Sequence, residues 1–315
     1  MMRDNFELRS YGNYSPENVI AENLHELTAR ADILGEQEIA HLRELAKEIA
    51  LGNDIADLLS SLPYNRIPSI PPASASLTNN KKLLSRSRGL LEARQCMILC
   101  LTLYEELREN ENLLAALFPD AEEIAPHANG RIVYQRNRYT DDAYLSFANL
   151  VPSARAAYVH SFHAACEEVY NGHCEYCILP LENAVEGELV GFAKLISQYD
   201  LKIAACCDIM GTDASRQTRF ALLRRNMLPF LAGELKKNEF FRFSLPSTQS
   251  ISASDILSAA KFYGLQFISM NTLPQGESAY FNLTFAIRGG DIYPFLLYLA
   301  TVAPQYTPIG IYSHT

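Results

Sequence analysis

The sequence predicts an α/β protein in three parts: a helical N-terminal region over 1–126, a single α/β lobe with a mainly parallel sheet over 127–232, and a ferredoxin-like βαββαβ unit over 233–315. Three observations carry this reading. Apolar residues recur at three- and four-residue spacing through the first part. Short apolar runs alternate with helical stretches between 131 and 225, as βαβ units do. From 240 onward the order becomes strand, helix, strand, strand, helix, strand.

In the N-terminal part, Ser15-Pro16-Glu17 supplies an N-cap serine and a proline at the first helical position. Leu24, Leu27, Ala31 and Leu34, then Ile39, Leu42, Leu45 and Ile49, trace helix faces. PYNRIPSIPPASASLTNN at 63–80 reads as a linker. A second helical stretch runs from Lys81 to Leu117, and Pro119 and Pro126 close it. In the lobe, strands are expected at 131–135, 155–161, 175–183, 201–209 and 218–225. Helices are expected between them at 141–150, 162–172 (ending on Gly172) and 187–199. In the last part FFRFSLPS, LQFISMNTLP, SAYFNLTFAIRG and YTPIGIYS read as strands, and SASDILSAAKFYG and DIYPFLLYLATVAP as helices.

Composition narrows the function classes. Hydrophobic residues make up 48% and charged residues 20% of the 315, a balance suited to packed cores. A formal net charge of −9 argues against a nucleic-acid or anionic-membrane partner, while local arginines leave a small anionic substrate or an amino-acid ligand open. The polar start MMRDNFELRSYGNYS has no apolar signal core, and CMILCLTLY at 96–104 is about half a membrane span. A cytoplasmic location is expected, with the seven cysteines as reduced thiols. The 17 tyrosines, with no tryptophan, read as core and interface packing.

One strand end stands out. In CILPLENAVEGELVG at 177–191 an apolar run ends on Glu182-Asn183, and ligands on such sheets gather beyond the carboxyl ends of strands. Glu186 and Glu188 are read as first-turn residues of the following helix, where the dipole favours negative charge. Glu182 keeps a functional reading because it ends a buried strand. A second constellation is His160, His163, Cys166, His173, Cys174, Cys177, Cys206 and Cys207, with a C-x-x-C in HCEYC. Zinc or redox chemistry uses such residues, but Cys177 and Cys206 fall on apolar strands, where a cysteine acts as a small hydrophobe. No metal is expected.

From 131 to 315 the chain resembles prephenate dehydratase followed by its ACT regulatory domain. CILPLENAVEGELVGFAKLIS is similar to the family's strand–ENS-x-x-G–helix motif, with Ala184 in place of serine. YDLKIAACCDIMGTDASRQTRFALL ends in Thr218-Arg219-Phe220, the family's Thr-Arg-Phe signature. The resemblance implies a periplasmic-binding-protein-like dehydratase domain and cofactor-free loss of water and carbon dioxide from prephenate to give phenylpyruvate, a step of L-phenylalanine biosynthesis. It implies Thr218 as the catalytic hydroxyl, acting by positioning and charge stabilisation. Glu182, Asn183, Gly187, Arg219 and Phe220 are implied as substrate-binding. In that scheme the N–H groups of the helix start near Gly187 hold a carboxylate, and Arg219 is either a second carboxylate partner or structural. ACT-like domains pair through their sheets, so a homodimer is implied.

The departures carry expectations of their own. Asn183 and Thr218 are 35 positions apart, an interval that one helix and one strand fill, so the family's second lobe is expected to be missing. The glycine-bearing loop after the first strand is replaced by QRNRYTDDAY. Met270-Asn271-Thr272-Leu273-Pro274 stands where the family has I-E-S-R-P, and SISAS where it has a Pro-Gly turn. In the N-terminal part Lys81, Lys82, Arg86, Arg88 and Arg94 supply cations that a chorismate mutase would need, but a solvated basic helix face is the preferred reading. The expectation is half of a dehydratase domain with catalysis weakened or lost; the alternative is a non-catalytic small-ligand sensor or interaction protein.

Overall fold

Alternating side chains in the last third of the chain decide how the sheet is used. In FFRFSLP the residues Phe241, Phe243 and Leu245 point one way and Phe240, Arg242 and Ser244 the other, so both faces must be covered. The computed structural model describes residues 35–44, 46–47, 49–50, 93–107, 130–151, 153–211, 217–225, 227, 239–247, 252–275, 278–287, 292–303 and 305–315. The predicted linker at 63–80, the boundaries at 126/127 and 232/233, and Lys81, Lys82, Arg86 and Arg88 lie outside them.

The first described helix, α1, lies within 35–50, and α2 is Ala93–Leu107. The lobe follows as β1 (Arg131–Gln135), α3 (Arg138–Ala148), β2 (Arg155–Val159), α4 (Phe162–Tyr170), β3 (Tyr176–Asn183), β4 (Gly187–Glu188), α5 (Val190–Gln198), β5 (Lys202–Ile209) and β6 (Thr218–Arg224). The βαββαβ unit is β7 (Phe240–Pro246), α6 (Ala253–Phe262), β8 (Gln266–Gln275), β9 (Ser278–Ala286), α7 (Ile292–Val302) and β10 (Thr307–His314). The helix starts carry side-chain caps: Asn137, Ser161 and Ser252 each accept a hydrogen bond from the first turn with a side-chain oxygen, and the helix expected at 141–150 begins earlier, at Arg138. Gly172, with φ +74°, takes the left-handed position past α4.

All ten strands among the described residues join one sheet in the order β2-β1-β3-β6-β5-β10-β7-β9-β8, with β4 paired to β3. β1 pairs with β2 and β3 in parallel, and β6 is inserted antiparallel between β3 and β5, so β5 runs with β3. The order β10-β7-β9-β8 is the ferredoxin-like one, fourth-first-third-second strand, and it is joined to the lobe edge to edge by parallel β5–β10 pairing. At this seam Gly310 comes so close to β5 that a Cβ would lie 2.6 Å from the Ile203 carbonyl oxygen and 2.8 Å from Ile203 Cβ.

Three apolar layers cover the sheet. α3 packs Ala143 and Phe147 on one side of the lobe with Ile178, Cys207, Phe220 and Leu222. α4 and α5 pack Cys166, Val169 and Ile196 on the other side with Cys177, Leu179, Cys206 and Leu223. α6 and α7 cover one face of the βαββαβ unit, and α1 and α2 pack outside them through Leu42, Ile49, Leu99 and Leu103. Tyr263 donates a buried hydrogen bond to the Met97 carbonyl at 2.8 Å, tying α2 to the end of α6. The described N-terminal helices thus extend the core of the last unit. Among the described residues no helix is long and apolar enough to cross a membrane.

The sheet curls strongly. β3 and β7 are four strand spacings apart, roughly 19 Å if flat, yet Arg242 of β7 reaches Glu182 of β3 and Glu188 of β4. The face of the βαββαβ unit that no described helix covers is therefore turned toward the lobe, with the β4 hairpin laid against it.

Candidate functional site

The strand-end motif is built first by its own turn. Asn183 Oδ1 accepts from the backbone N–H groups of Val185 (3.0 Å) and Glu186, which closes the chain into a hairpin back to β4. Gly187 has φ +70°, the left-handed conformation that returns the chain to β3, which is why a glycine stands there. The helix expected at 187–199 therefore begins at Val190, after a short strand, with Leu189 as its N-cap. Gly187 is not at a helix start, and Glu186 and Glu188 are not first-turn residues. Glu186 is in the exposed turn, and Glu188 turns inward with its side chain 6% exposed.

Register then sorts the remaining candidates into two rows. Asn183 of β3 lies opposite Thr218 of β6, which lies opposite Ile209 of β5. Glu182 lies opposite Arg219, which lies opposite Asp208. Side chains of directly paired residues share a face and successive residues alternate, so the two rows point to opposite faces. The Asn183–Thr218 row is on the α3 side, with Phe220 buried beneath it. The Glu182–Arg219–Asp208 row is on the side of α4 and α5, above Cys206 and Ala221. The expected site residues meet at one strand end, but Arg219 and Thr218 do not face the same space.

Arg219 is engaged by the chain itself through all three of its guanidinium nitrogens. Its Nε and Nη2 donate to the two oxygens of Asp208 at 2.9 and 3.2 Å, and its Nη1 donates to Glu182 at 3.1 Å. Asp208 also accepts from Gln217 Nε2 at 2.7 Å and has His314 Nε2 at 3.2 Å. Burial works to raise the Asp208 carboxyl, but hydrogen bonds and charge from Arg219, with His314 beside it, hold it below its ordinary value. The Glu182 carboxylate continues the chain to Arg242 Nη1 at 3.4 Å. Arg242 bonds Glu188 with its other nitrogen, and Asn282 Nδ2 donates to the same Glu188 oxygen at 3.0 Å. Burial opposes the charge on Arg242, whose side chain is 4% exposed, yet Glu188 and Glu182 raise its pKa further.

The sequence gives no direct view of this network, because Glu188, Arg242 and Asn282 come from three distant stretches. A partial signal was present: Arg242, Ser244, Asn282 and Thr284 alternate with large apolar residues, marking a polar sheet face. The structure buries that face. Four cysteines of the second constellation, Cys166, Cys174, Cys177 and Cys206, share the α4–α5 core, and Cys207 is in the α3 core. His163 bonds Tyr199 at 3.0 Å, and His173 lies 3.5 Å from Glu168. Burial pushes the Cys207 thiol up to about 12.

Chemically, the α3-side row offers one hydroxyl and one amide beside apolar neighbours, at a lip where Val185 is 79% and Met210 56% exposed. In the interval from Asn183 to Thr218 the described residues form β4 and β5 of this same sheet and α5 packed on it, and no second lobe.

A family model described as prephenate dehydratase matches residues 135–210, a stretch that includes Asn183 and stops short of Thr218. No curated protein matches the chain. Among solved structures, prephenate dehydratase from Streptococcus mutans is similar at 18% identity and a TM-score of 0.48, over 59% of this chain and 98% of that one. The L-Phe complex of prephenate dehydratase from Arthrobacter aurescens is similar at 15% identity and a TM-score of 0.45, over 58% and 90%. A structure described as GqqA, a novel type of quorum quenching acylase, is similar at 18% identity and a TM-score of 0.45, over 59% and 95%. Over residues 135–210 the chain is thus a distant and partial relative of the prephenate dehydratase family.

Proposed function

We propose that this chain keeps a one-lobed prephenate dehydratase scaffold in which the decarboxylative dehydration of prephenate is weakened or lost. The observation that carries the proposal is the division of the strand-end residues between two faces. Dehydration expels the ring hydroxyl as water while the ring carboxylate leaves as carbon dioxide. A hydroxyl such as that of Thr218 contributes chiefly as a positioned hydrogen-bond donor, and the substrate dianion needs cations facing the same space. Arg219 is on the opposite face, where it bonds Asp208 and Glu182. Asn183, implied as the residue that orients the substrate, spends its side-chain oxygen on its own turn.

The test is phenylpyruvate formation from prephenate by the purified chain at high protein concentration. The expected rate is at or near background and unchanged in Thr218→Ala. Turnover well above background that falls at least tenfold in Thr218→Ala would show a working active site and overturn the proposal.

A second reading, a non-catalytic binding protein for a small ligand, is favoured by a separate observation. The junction between lobe and βαββαβ unit holds an open pocket of about 450 Å³ with the buried side chains of Arg242 and Asn282 in its wall. Pairing of the last unit with a second copy, which the resemblance implies, belongs with either reading and is measured by sedimentation of the purified chain.

A further inference from the structure

The open pocket is where the curled sheet meets itself. Its floor is the sheet face of β7, β8 and β9 opposite α6 and α7, continued by the start of β10, and its other walls are α5 and the start of β5. Leu181, Ile196 and Leu273 give it an apolar lining. Lys194, Ser197 and Gln198 share one exposed face of α5 at its mouth. A volume of about 450 Å³ is within the usual range for a small-molecule site.

Strand register sets the polar groups of the floor side by side. Thr307 of β10 lies opposite Ser244 of β7, which lies opposite Asn282 of β9, so the three side chains form one row on one face. Two positions along β9, on that same face, is Tyr280, which lies opposite Leu273 of β8. All five residues line the pocket. Ser244 and Tyr280 are diagonal neighbours on adjacent strands, a separation of about 7–8 Å that one small ligand spans. Both side chains are half-buried, and neither hydroxyl has a hydrogen-bond partner among the described residues. A pair of accessible hydroxyls therefore stands next to the apolar surface of Leu273.

The lining charges select how those hydroxyls are used. Arg242 bonds Glu188, and Lys202 donates to Asp200 at 2.6 Å. Glu182 and Asp208, which do not line the pocket, are bonded to Arg219 behind it. Lys194 is the one lining charge with no ion-pair partner among the described residues, and it is exposed at the mouth. A hydroxyl donates to an anion as readily as it accepts from a donor. An unpaired ammonium at the mouth favours the anion.

We propose that this pocket binds a small monocarboxylate with an apolar body, its carboxylate accepting from the hydroxyls of Ser244 and Tyr280 and its body resting on Leu273 and Ile196. Hydrogen bonds to a charged acceptor are about twice as strong as neutral ones, so the acid is held better than its uncharged analogue. The proposal gives the binding-protein reading its site and ligand chemistry and rests on that reading. It is measured apart from the dehydratase assay, with an acid that has no ring hydroxyl to lose.

The test is a titration of the full chain by saturation-transfer-difference NMR with three probes sharing one branched body: 4-methylpentanoate, 4-methylpentanamide and 3-methylbutylamine. The acid is expected to bind, the amide to bind about tenfold more weakly for want of a charge, and the amine to show no transfer. Tyr280→Phe and Ser244→Ala each remove only a hydroxyl from a half-buried position and should each weaken the acid severalfold, toward the amide. Lys194→Gln should weaken it less and remove most of its salt dependence. Ser197→Trp, exposed on α5 and lining the pocket, should abolish binding by filling the space. Amide or amine binding as tight as that of the acid, and lost in Ser197→Trp, would overturn the ligand class and leave the binding-protein reading standing. Acid binding untouched by Ser197→Trp, or by both hydroxyl variants, would overturn the site. No binding of any probe would overturn the proposal and take from the binding-protein reading the pocket that favours it.

Discussion

Asp208 shows how one residue comes to be held by several parts of the chain. It takes donors from Arg219 and Gln217 on the neighbouring segment and has His314 of β10 alongside, so lobe and last strand share one carboxylate. Because its pKa is lowered on folding, the charged form is favoured in the folded state. That contribution is fully present above the ordinary carboxyl value of 3.8 and is lost as pH falls through the lower folded value. Asp208→Asn should therefore flatten the acid limb of stability below about pH 4, as read from urea unfolding across the acid range. Parallel curves for the two proteins would show that Arg219 does not hold the carboxyl in the charged form. Thr218 and Asn183, by contrast, are tied to the rest of the molecule mainly by strand register, and their activity is decided by what faces them. For them the dehydratase assay is the measurement that counts.

At the scale of elements, the β5–β10 seam is the part most exposed to a single change. Gly310→Val puts a side chain where the backbone of Ile203 already stands. The expected cost is about 1–3 kcal/mol, measured as a lower urea midpoint; an unchanged midpoint would mean the seam relaxes without loss. Most elements were legible in the sequence for local reasons. RIVYQ, RAAYV and TRFALLR are apolar runs of strand length, and Ser161 and Ser252 mark helix starts with their caps. β4 was not legible as a strand. The apolar periodicity from Leu189 onward dominates its surroundings, and a two-residue strand has no period of its own. The turn oxygen of Asn183 and a glycine four positions on were the available signals. The pairing of Asn183 with Thr218 was legible from the motif order. The opposite facing of Arg219 was not, since it depends on a strand register set by residues elsewhere on β6.

For the whole molecule, the three apolar layers leave no cysteine at the surface: all seven are buried as free thiols. Burial pushes the Cys100 thiol up to about 12 and that of Cys206 higher still, so neither supplies thiolate at neutral pH. Titration with Ellman's reagent should find no fast-reacting thiol in the native protein and seven after denaturation in guanidinium. One or more rapid equivalents in the native protein would show that a layer opens. The same layers explain why the three predicted parts do not behave as beads on a string. α1 and α2 complete the helix layer of the βαββαβ unit, and the strands of that unit continue the sheet of the lobe. The seam has a consequence in time as well as in space. β5 is finished at Ile209, but its second neighbour, β10, arrives about a hundred positions later in synthesis. Until then the lobe ends in an open row of backbone donors and acceptors, the surface on which nascent chains pair with one another. Closure must wait for the most distant contact in the sheet, so the fold acquires its middle last.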